Sequence, residues 1–271
     1  MSDPKGPPRP SYDAYYKAFD SRLMQQLRHE AYGKDIGQHS WATADELEED
    51  ISRLKLTPAS RLLDLGCGPC GPLTFIVAQV GCRGFGADSS AEAIASGRAR
   101  TAAMNLEGLL TLQQADLNNP LPSANAAFDA VLSVDVLLHL RNRESVFREV
   151  ARVLTPGGRF LFTDAGVLTG PITDEEVRLR SLHGYTQYVP PGVNEAALEG
   201  SGFRLLERQD RTASLLKNAS GRLATRLAHR PELEKLEGTA NFERQVRYLE
   251  TAVTLSQRRG LSRIMYLAES M

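Results

Sequence analysis

Cysteine is scarce in this sequence: three residues in 271, at Cys67, Cys70 and Cys82. Cys67 and Cys70 have C-x-x-C spacing, which can serve zinc or redox chemistry. A zinc site needs more ligands, and neither a second C-x-x-C nor a close histidine pair is present. The pair falls inside a glycine-rich turn that has its own explanation, so no metal is expected. Long apolar runs are also missing. None approaches the roughly 20 residues of a spanning helix, and Met1 to Pro10 lacks the apolar core of a signal peptide. A cytoplasmic protein without a membrane partner is the expectation. Excess charge is missing too: the formal net charge is -1, which gives no global pull toward nucleic acid or an anionic membrane.

What remains is globular composition, 42% hydrophobic and 24% charged. The length suits one α/β domain with an elaboration. Residues 1–10 read as a flexible Pro-rich leader and 11–57 as an N-terminal helical cap. In the cap, Tyr12 to Tyr32 is expected as one helix. Its Tyr12, Tyr15, Tyr16 and Phe19 recur at helical spacing, as a docking face or an aromatic lid. Thr43 to Leu54 is a second helix, with Thr43 and Glu46 at capping-box spacing. The main domain, 58–271, alternates strands and helices. Strands are expected at 61–65, 83–87, 109–114, 128–134 and 159–163, with helices at 73–80, 91–104 and 144–154 between them. That rhythm implies right-handed crossovers and a parallel sheet. The rhythm breaks at two inserts, 165–192 and 211–259. A strand at 203–207 separates them, and Arg263 to Ala268 closes the chain. Phe242, Val246, Leu249 and Val253 form a helical stripe that should be buried, against the domain or in a homodimer.

Gly66-Cys67-Gly68-Pro69-Cys70-Gly71 spells G-x-G-x-x-G after a strand. Small residues there let the backbone approach a bound nucleoside, a need shared by several nucleotide folds. Asp64 discriminates among them. A carboxylate two residues before the first glycine opposes a pyrophosphate at the adjacent helix end. It suits a ligand with an ammonium and a sulfonium. Asp88 ends the second strand, where a carboxylate accepts from ribose hydroxyls. Asp116 follows the third and can accept from an adenine amino group. Three acids at three successive strand ends line the edge where α/β sheets bind ligands.

Leu63-Asp64-Leu65-Gly66-Cys67-Gly68, Gly86-Ala87-Asp88, Ala115-Asp116-Leu117 and Leu154-Thr155-Pro156-Gly157-Gly158 together resemble the ordered motifs of class I S-adenosylmethionine-dependent methyltransferases. The resemblance spans roughly residues 60 to 165. It implies a three-layer Rossmann-like α/β fold with a seven-stranded, mostly parallel sheet whose last strand is antiparallel. It also implies S-adenosyl-L-methionine as cofactor, held by the glycine loop with Gly66 and Gly68, by Asp88 and by Asp116. The adjoining Ser89, Leu117 and Ser133 are expected to share in that binding. One departure is Cys70, where many members have glycine. Tyr32 to Gln38 and Ser133 to Leu140 are similar to the small-molecule branch, which includes phosphoethanolamine and glycine/sarcosine N-methyltransferases. Ser133-Val134-Asp135-Val136 also differs from the motif of enzymes that methylate exocyclic base or glutamine nitrogens.

Methyl transfer from a sulfonium is in-line displacement on an activated donor, so alignment and a dry cavity matter most. A nucleophile that must lose a proton needs a base. His139, just past the fourth strand, is the candidate, with Asp135 orienting it or a cationic substrate. Gln38 and Trp41 are expected to close over the cofactor. Tyr16, Tyr185 and Tyr188 are the candidate substrate contacts. The expected function is methylation of nitrogen or oxygen in a small molecule. A methyltransferase acting on RNA or protein and a non-catalytic cofactor-binding protein are the alternatives.

Overall fold

The computed structural model describes residues 12–182 and 184–271. The proposed leader therefore lies outside the described residues. Helices α1 (Tyr12–Tyr16), α2 (Arg22–Tyr32) and α3 (Ala44–Arg53) come first. The single helix expected from Tyr12 to Tyr32 is two. The chain breaks at 17–21, and Ser21 restarts it as N-cap, its side chain accepting from the Met24 amide at 3.3 Å. Thr43 caps α3 as expected, accepting from the Glu46 amide at 3.1 Å. The Glu46 carboxylate does not complete a capping box; it reaches Arg263 instead.

The main domain then alternates as expected: β1 (Arg61–Leu65), α4 (Gly71–Val80), β2 (Arg83–Asp88), α5 (Ala91–Ala103), β3 (Leu110–Gln114), β4 (Phe128–Val134), α6 (Arg143–Val153) and β5 (Leu154–Leu168). A short 3-10 turn, Leu137–His139, follows β4. Helices α7 (Asp174–Arg180) and α8 (Val193–Glu199) precede β6 (Phe203–Asp210). Then α9 (Thr212–Ala228), α10 (Arg230–Glu237) and α11 (Thr239–Gln257) lead to β7 (Leu261–Ser270). β5 runs five residues beyond the expected end because its extension pairs with β7 at Val167 and Leu168.

The seven strands form one sheet in the order β3-β2-β1-β4-β5-β7-β6. β1 to β5 pair in parallel, and β7 lies antiparallel between β5 and β6. The sequence reverses direction outward from β1 and β4, so the crevice at their carboxyl ends is the place for a ligand. Each face carries a core. Phe147, Phe160, Phe162, Phe203 and Tyr266 fill one; Leu47, Leu62, Leu73, Ile76 and Met265 fill the other.

The second insert covers the crevice end of the sheet. Phe242, Val246 and Leu249 are buried, while Val253 is half-buried. Phe242 and Val246 pack on Met24 and Leu27 of α2; Leu249 joins Trp41 and Leu215. Packing within one chain accounts for the stripe, without a partner subunit. α9 also crosses α2 closely: a Cβ on Gly221 would stand 2.4 Å from the Ala31 carbonyl oxygen. None of the described helices is long and apolar enough to cross a membrane.

Candidate active site

The carboxyl ends of β1, β2 and β4 open into a cavity of about 310 Å³. Its floor is the turn after β1. Gly66 has φ 76° and Gly68 φ 52°, values that L side chains rarely adopt. A Cβ on Gly66 would also collide with the Val136 side chain at 2.4 Å. Cys70, at the departure from the family pattern, adopts the same left-handed region, with φ 62°. Its thiol lies against Gly97, where a Cβ would come within 2.8 Å of it. The loop thus keeps the path that glycine takes at lower cost, and Gly97 makes the room. The Cys67 and Cys70 sulfurs are 3.4 Å apart and both residues are buried.

Asp64, 2% exposed, lines the cavity. Its carboxyl has neither a hydrogen bond nor an ion pair among the described residues. Burial, aided by the nearby Asp88, pushes its pKa up to about 8. A buried acid without a cation is costly to ionise, and an arriving cation relieves that cost. Asp88 accepts from the Gly68 amide and the Ser90 amide, each at 2.9 Å. It thereby joins the glycine loop to the start of α5. Burial raises its pKa too. Ser89, Asp116 and Leu117 line the same end of the cavity. The sites therefore present an orphaned carboxylate for an ammonium, a second carboxylate for ribose hydroxyls, and a glycine cradle. That donor set fits S-adenosylmethionine.

Two expected cofactor contacts do not line the cavity. Gln38 turns away. Its side-chain oxygen accepts from the Ile36 amide at 2.9 Å, closing its own turn. Ser133 is wholly buried and donates to the Leu65 carbonyl at 3.0 Å, linking β4 to β1. Trp41, His39 and Ser40 line the cavity from the segment next to Gln38. Tyr16 also lines it, over the glycine loop: a Cβ on Gly68 would lie 3.3 Å from its hydroxyl. Tyr16 thus stands between the glycine loop and Tyr12, on which it stacks.

His139 lines the cavity as well. Its Nδ1 is 3.0 Å from the Tyr185 carbonyl oxygen and Nε2 is 3.0 Å from the Tyr12 hydroxyl. A carbonyl only accepts, so Nδ1 carries the proton and Nε2 the lone pair that faces Tyr12. Burial holds the His139 pKa below its usual value, with the Arg180 charge acting in the same direction. Burial also holds the Tyr12 phenol far above its usual range, so it stays protonated.

Asp135 does not reach His139 by any hydrogen bond. It has φ 60°, and its carboxylate accepts from Arg263 Nε and the Thr163 hydroxyl, each at 2.8 Å, and from the Trp41 amide at 2.9 Å. Arg263 is wholly buried and also donates to Glu46 at 2.8 Å. Asp135 is therefore a positioning residue that fixes the β4 turn and Trp41. The Tyr185 segment is anchored in a comparable way. Arg143 binds Asp164, the Gln187 carbonyl oxygen at 3.0 Å and the Asn194 side chain at 2.8 Å. Tyr185 lines the cavity, whereas Tyr188 does not.

Arg180, Arg222 and Tyr248 also line the cavity, and nothing in local sequence signalled them. They come from the two inserts, where only the break in strand–helix rhythm hinted at a role. Arg180 lies over the Tyr248 ring, 4.6 Å from its centroid, and Arg222 over Trp41 at 4.7 Å.

Comparison with known proteins places this geometry. Residues 63–162 match the family described as "Methyltransferase domain". Among curated proteins, the chain is 30% identical over 173 residues to "Methyltransferase GfsG" of Streptomyces halstedii, covering 60% of this chain and 59% of that one. It is 35% identical over 182 residues to the glycine/sarcosine/dimethylglycine N-methyltransferase of Actinopolyspora halophila, covering 64% and 31%. The chain thus spans between about a third and three fifths of the length of these relatives. The cyclopropane synthase MmaA2 of Mycobacterium tuberculosis superposes with a TM-score of 0.82 at 16% identity, over 98% of this chain and 100% of that one. That likeness is one of fold. The ordered motifs, the sheet order and the match over residues 63–162 together make this chain similar to the class I S-adenosylmethionine-dependent methyltransferases.

Proposed function

We propose that the protein transfers a methyl group from S-adenosylmethionine to a nitrogen or oxygen of a small molecule, in a cytoplasmic setting. The observation that carries this reading is the cavity itself. It brings together Asp64, which has no partner among the described residues, Asp88, the glycine loop, and a His139 whose Nε2 lone pair faces Tyr12.

When bound, S-adenosylmethionine supplies a methyl group on a positively charged sulfur that departs as a neutral thioether. Asp64 would hold the ammonium, Asp88 the ribose hydroxyls, and Asp116 with Leu117 the adenine edge. Their part is alignment, since the methyl is already activated. Trp41 and Tyr16 exclude water from above. The acceptor's nucleophilic atom needs to lose one proton as its new bond to carbon forms. Tyr12 passes a proton to His139 Nε2 and takes the acceptor's in its place. His139 thus ends protonated, with Nδ1 still donating to the Tyr185 carbonyl. A neutral imidazole near pH 7 is suited to that role.

Two kinds of support favour a small acceptor. The cavity measures about 310 Å³, and Tyr12 and Tyr16 of α1, Arg222 of α9 and Tyr248 of α11 border it. Curated relatives that match the chain include a glycine/sarcosine/dimethylglycine N-methyltransferase and a 27-O-demethylrifamycin SV methyltransferase. Titration calorimetry with S-adenosylhomocysteine tests the reading at its base. Binding should occur at micromolar affinity or tighter, and no binding would remove the proposal.

A further inference from the structure

Six arginines are buried among the described residues: Arg28, Arg143, Arg180, Arg211, Arg226 and Arg263. Five are neutralised by carboxylates: Asp35, Asp164, Asp50, Glu237, and Glu46 with Asp135, in that order. Arg180 is the exception. It is 5% exposed, and no carboxylate lies within 4.0 Å of it among the described residues. Its Nη1 has no hydrogen-bond partner among the described residues. Arg222 also lines the cavity, with no carboxylate within 4.0 Å among the described residues, and its Nη1 is 3.5 Å from the His39 carbonyl oxygen. Stacking on Tyr248 and Trp41 offsets part of the cost of burying these guanidiniums, but leaves their charge uncompensated.

The charges in the cavity are segregated. Asp64, Asp88 and Asp116 stand at the glycine-loop end; Arg180 and Arg222 stand with Trp41 and Tyr248, beneath the helical inserts. Asp135, the carboxylate closest in sequence to the acceptor end, is already taken by Arg263. Arg180 and His139 line the same cavity, and the Arg180 charge helps to keep His139 neutral.

We propose that Arg180, assisted by Arg222, binds an anionic group of the methyl acceptor, a carboxylate or a phosphate, so that the acceptor is an anionic amine or alcohol. The inference rests on the methyl-transfer reading and narrows it. A planar guanidinium with a free Nη1 matches either oxyanion, and the ion pair forms out of water, where it discriminates most strongly against a neutral analogue.

Trp41 is the only tryptophan, and its fluorescence reports ligation of the guanidiniums beside it. The protein loaded with S-adenosylhomocysteine is titrated with acetate and, separately, with inorganic phosphate; saturable quenching by one of them names the oxyanion. Methyl transfer is then compared for phosphoethanolamine against ethanolamine, glycine against glycinamide, and 4-hydroxybenzoate against 4-hydroxybenzamide. An anionic member should exceed its neutral partner in kcat/KM by about 10- to 100-fold. R180M should raise the KM of that member by a similar factor while the S-adenosylhomocysteine Kd changes less than about twofold. Arg180→Lys keeps the charge and should recover part of the preference, which separates anion binding from a folding defect. The inference is overturned if neither anion binds, if neutral acceptors are preferred, or if R180M weakens S-adenosylhomocysteine as much as the acceptor. That last result would assign Arg180 to the cofactor's own carboxylate. Absence of S-adenosylhomocysteine binding to the parent protein would instead overturn the methyl-transfer reading, and this inference with it.

Discussion

The Tyr12 hydroxyl stands 3.0 Å from His139 Nε2, although the two residues are 127 positions apart. One comes from the first described helix and the other from the turn after β4. α1 is held at its other edge by Asp13, which accepts from the Ser90 hydroxyl at the start of α5. The first described helix therefore borders the cavity and touches the proposed base in a single contact. His139→Ala should leave the S-adenosylhomocysteine Kd nearly unchanged while kcat falls by about 10²–10⁴-fold. Tyr12→Phe should have a smaller effect in the same direction, since His139 can still accept directly. Single-turnover rates with the cofactor saturating check both. Near-parental turnover by His139→Ala would leave alignment alone as the mechanism.

The same pair sets a pH dependence. Burial and the Arg180 charge favour neutral His139, so its pKa lies below 6.5. A base works only when unprotonated. The rate should therefore be flat at neutral pH and fall on acidification, with its midpoint below 6.5. A kcat/KM profile with an acid limb centred above 7 would contradict this assignment.

Asp64 gives a second and opposite titration. Its pKa of about 8 means that it is mostly protonated at pH 7 in the free protein. Binding a ligand ammonium favours the carboxylate, so S-adenosylhomocysteine should release close to one proton per site at pH 7. Calorimetry in buffers of different ionisation enthalpy measures that number, and Asp64→Asn should abolish it. The sign for stability follows from a folded pKa raised above the unfolded value of about 3.9. The contribution is fully present below pH 3.9 and is lost as pH rises through 8. The free protein should therefore lose thermal stability between about pH 4 and 8 more steeply than the ligand-bound protein, and level off above 8.

Asp88→Ala should weaken S-adenosylhomocysteine by about 1–3 kcal/mol, because both ribose hydroxyls lose their acceptor. It also frees the Gly68 and Ser90 amides that Asp88 now holds. Titration calorimetry compares it with the parent. Equal affinity would remove the ribose from this end of the cavity.

Arg263 lies at the centre of a buried network and not in the cavity lining. Removing one partner strands the Asp135 and Glu46 charges. Arg263→Met should cost about 3–5 kcal/mol, a fall of roughly 6–10 °C in Tm. Differential scanning calorimetry checks it. An unchanged Tm would show that the network does not hold the β4 turn.

The strands, the crossover helices and the glycine loop were legible because each is written locally, as alternation, apolar spacing or a turn residue. Asp64, Asp88 and Asp116 were legible because strand ends position them. Asp135 was not, since its partner Arg263 lies 128 residues away and no periodicity announces such a pairing. Gln38 and Ser133 sat beside the right motifs, yet each side chain is spent on a backbone group of a neighbouring turn or strand. Arg180 and Arg222 were hidden among many arginines on helices. Only the tertiary fold separates Arg180, which has no carboxylate within 4.0 Å among the described residues, from the five that carboxylates neutralise.

Transfer of a labelled methyl group is the most direct measure of the central claim. The parent protein is incubated with methyl-labelled S-adenosylmethionine and a panel of amines, alcohols and phenols. Label should appear in a small-molecule product with one S-adenosylhomocysteine formed per methyl transferred, and His139→Ala should slow it while still binding the cofactor. Tight cofactor binding with no label transferred to any acceptor would contradict the account and leave a binding protein in the place of an enzyme.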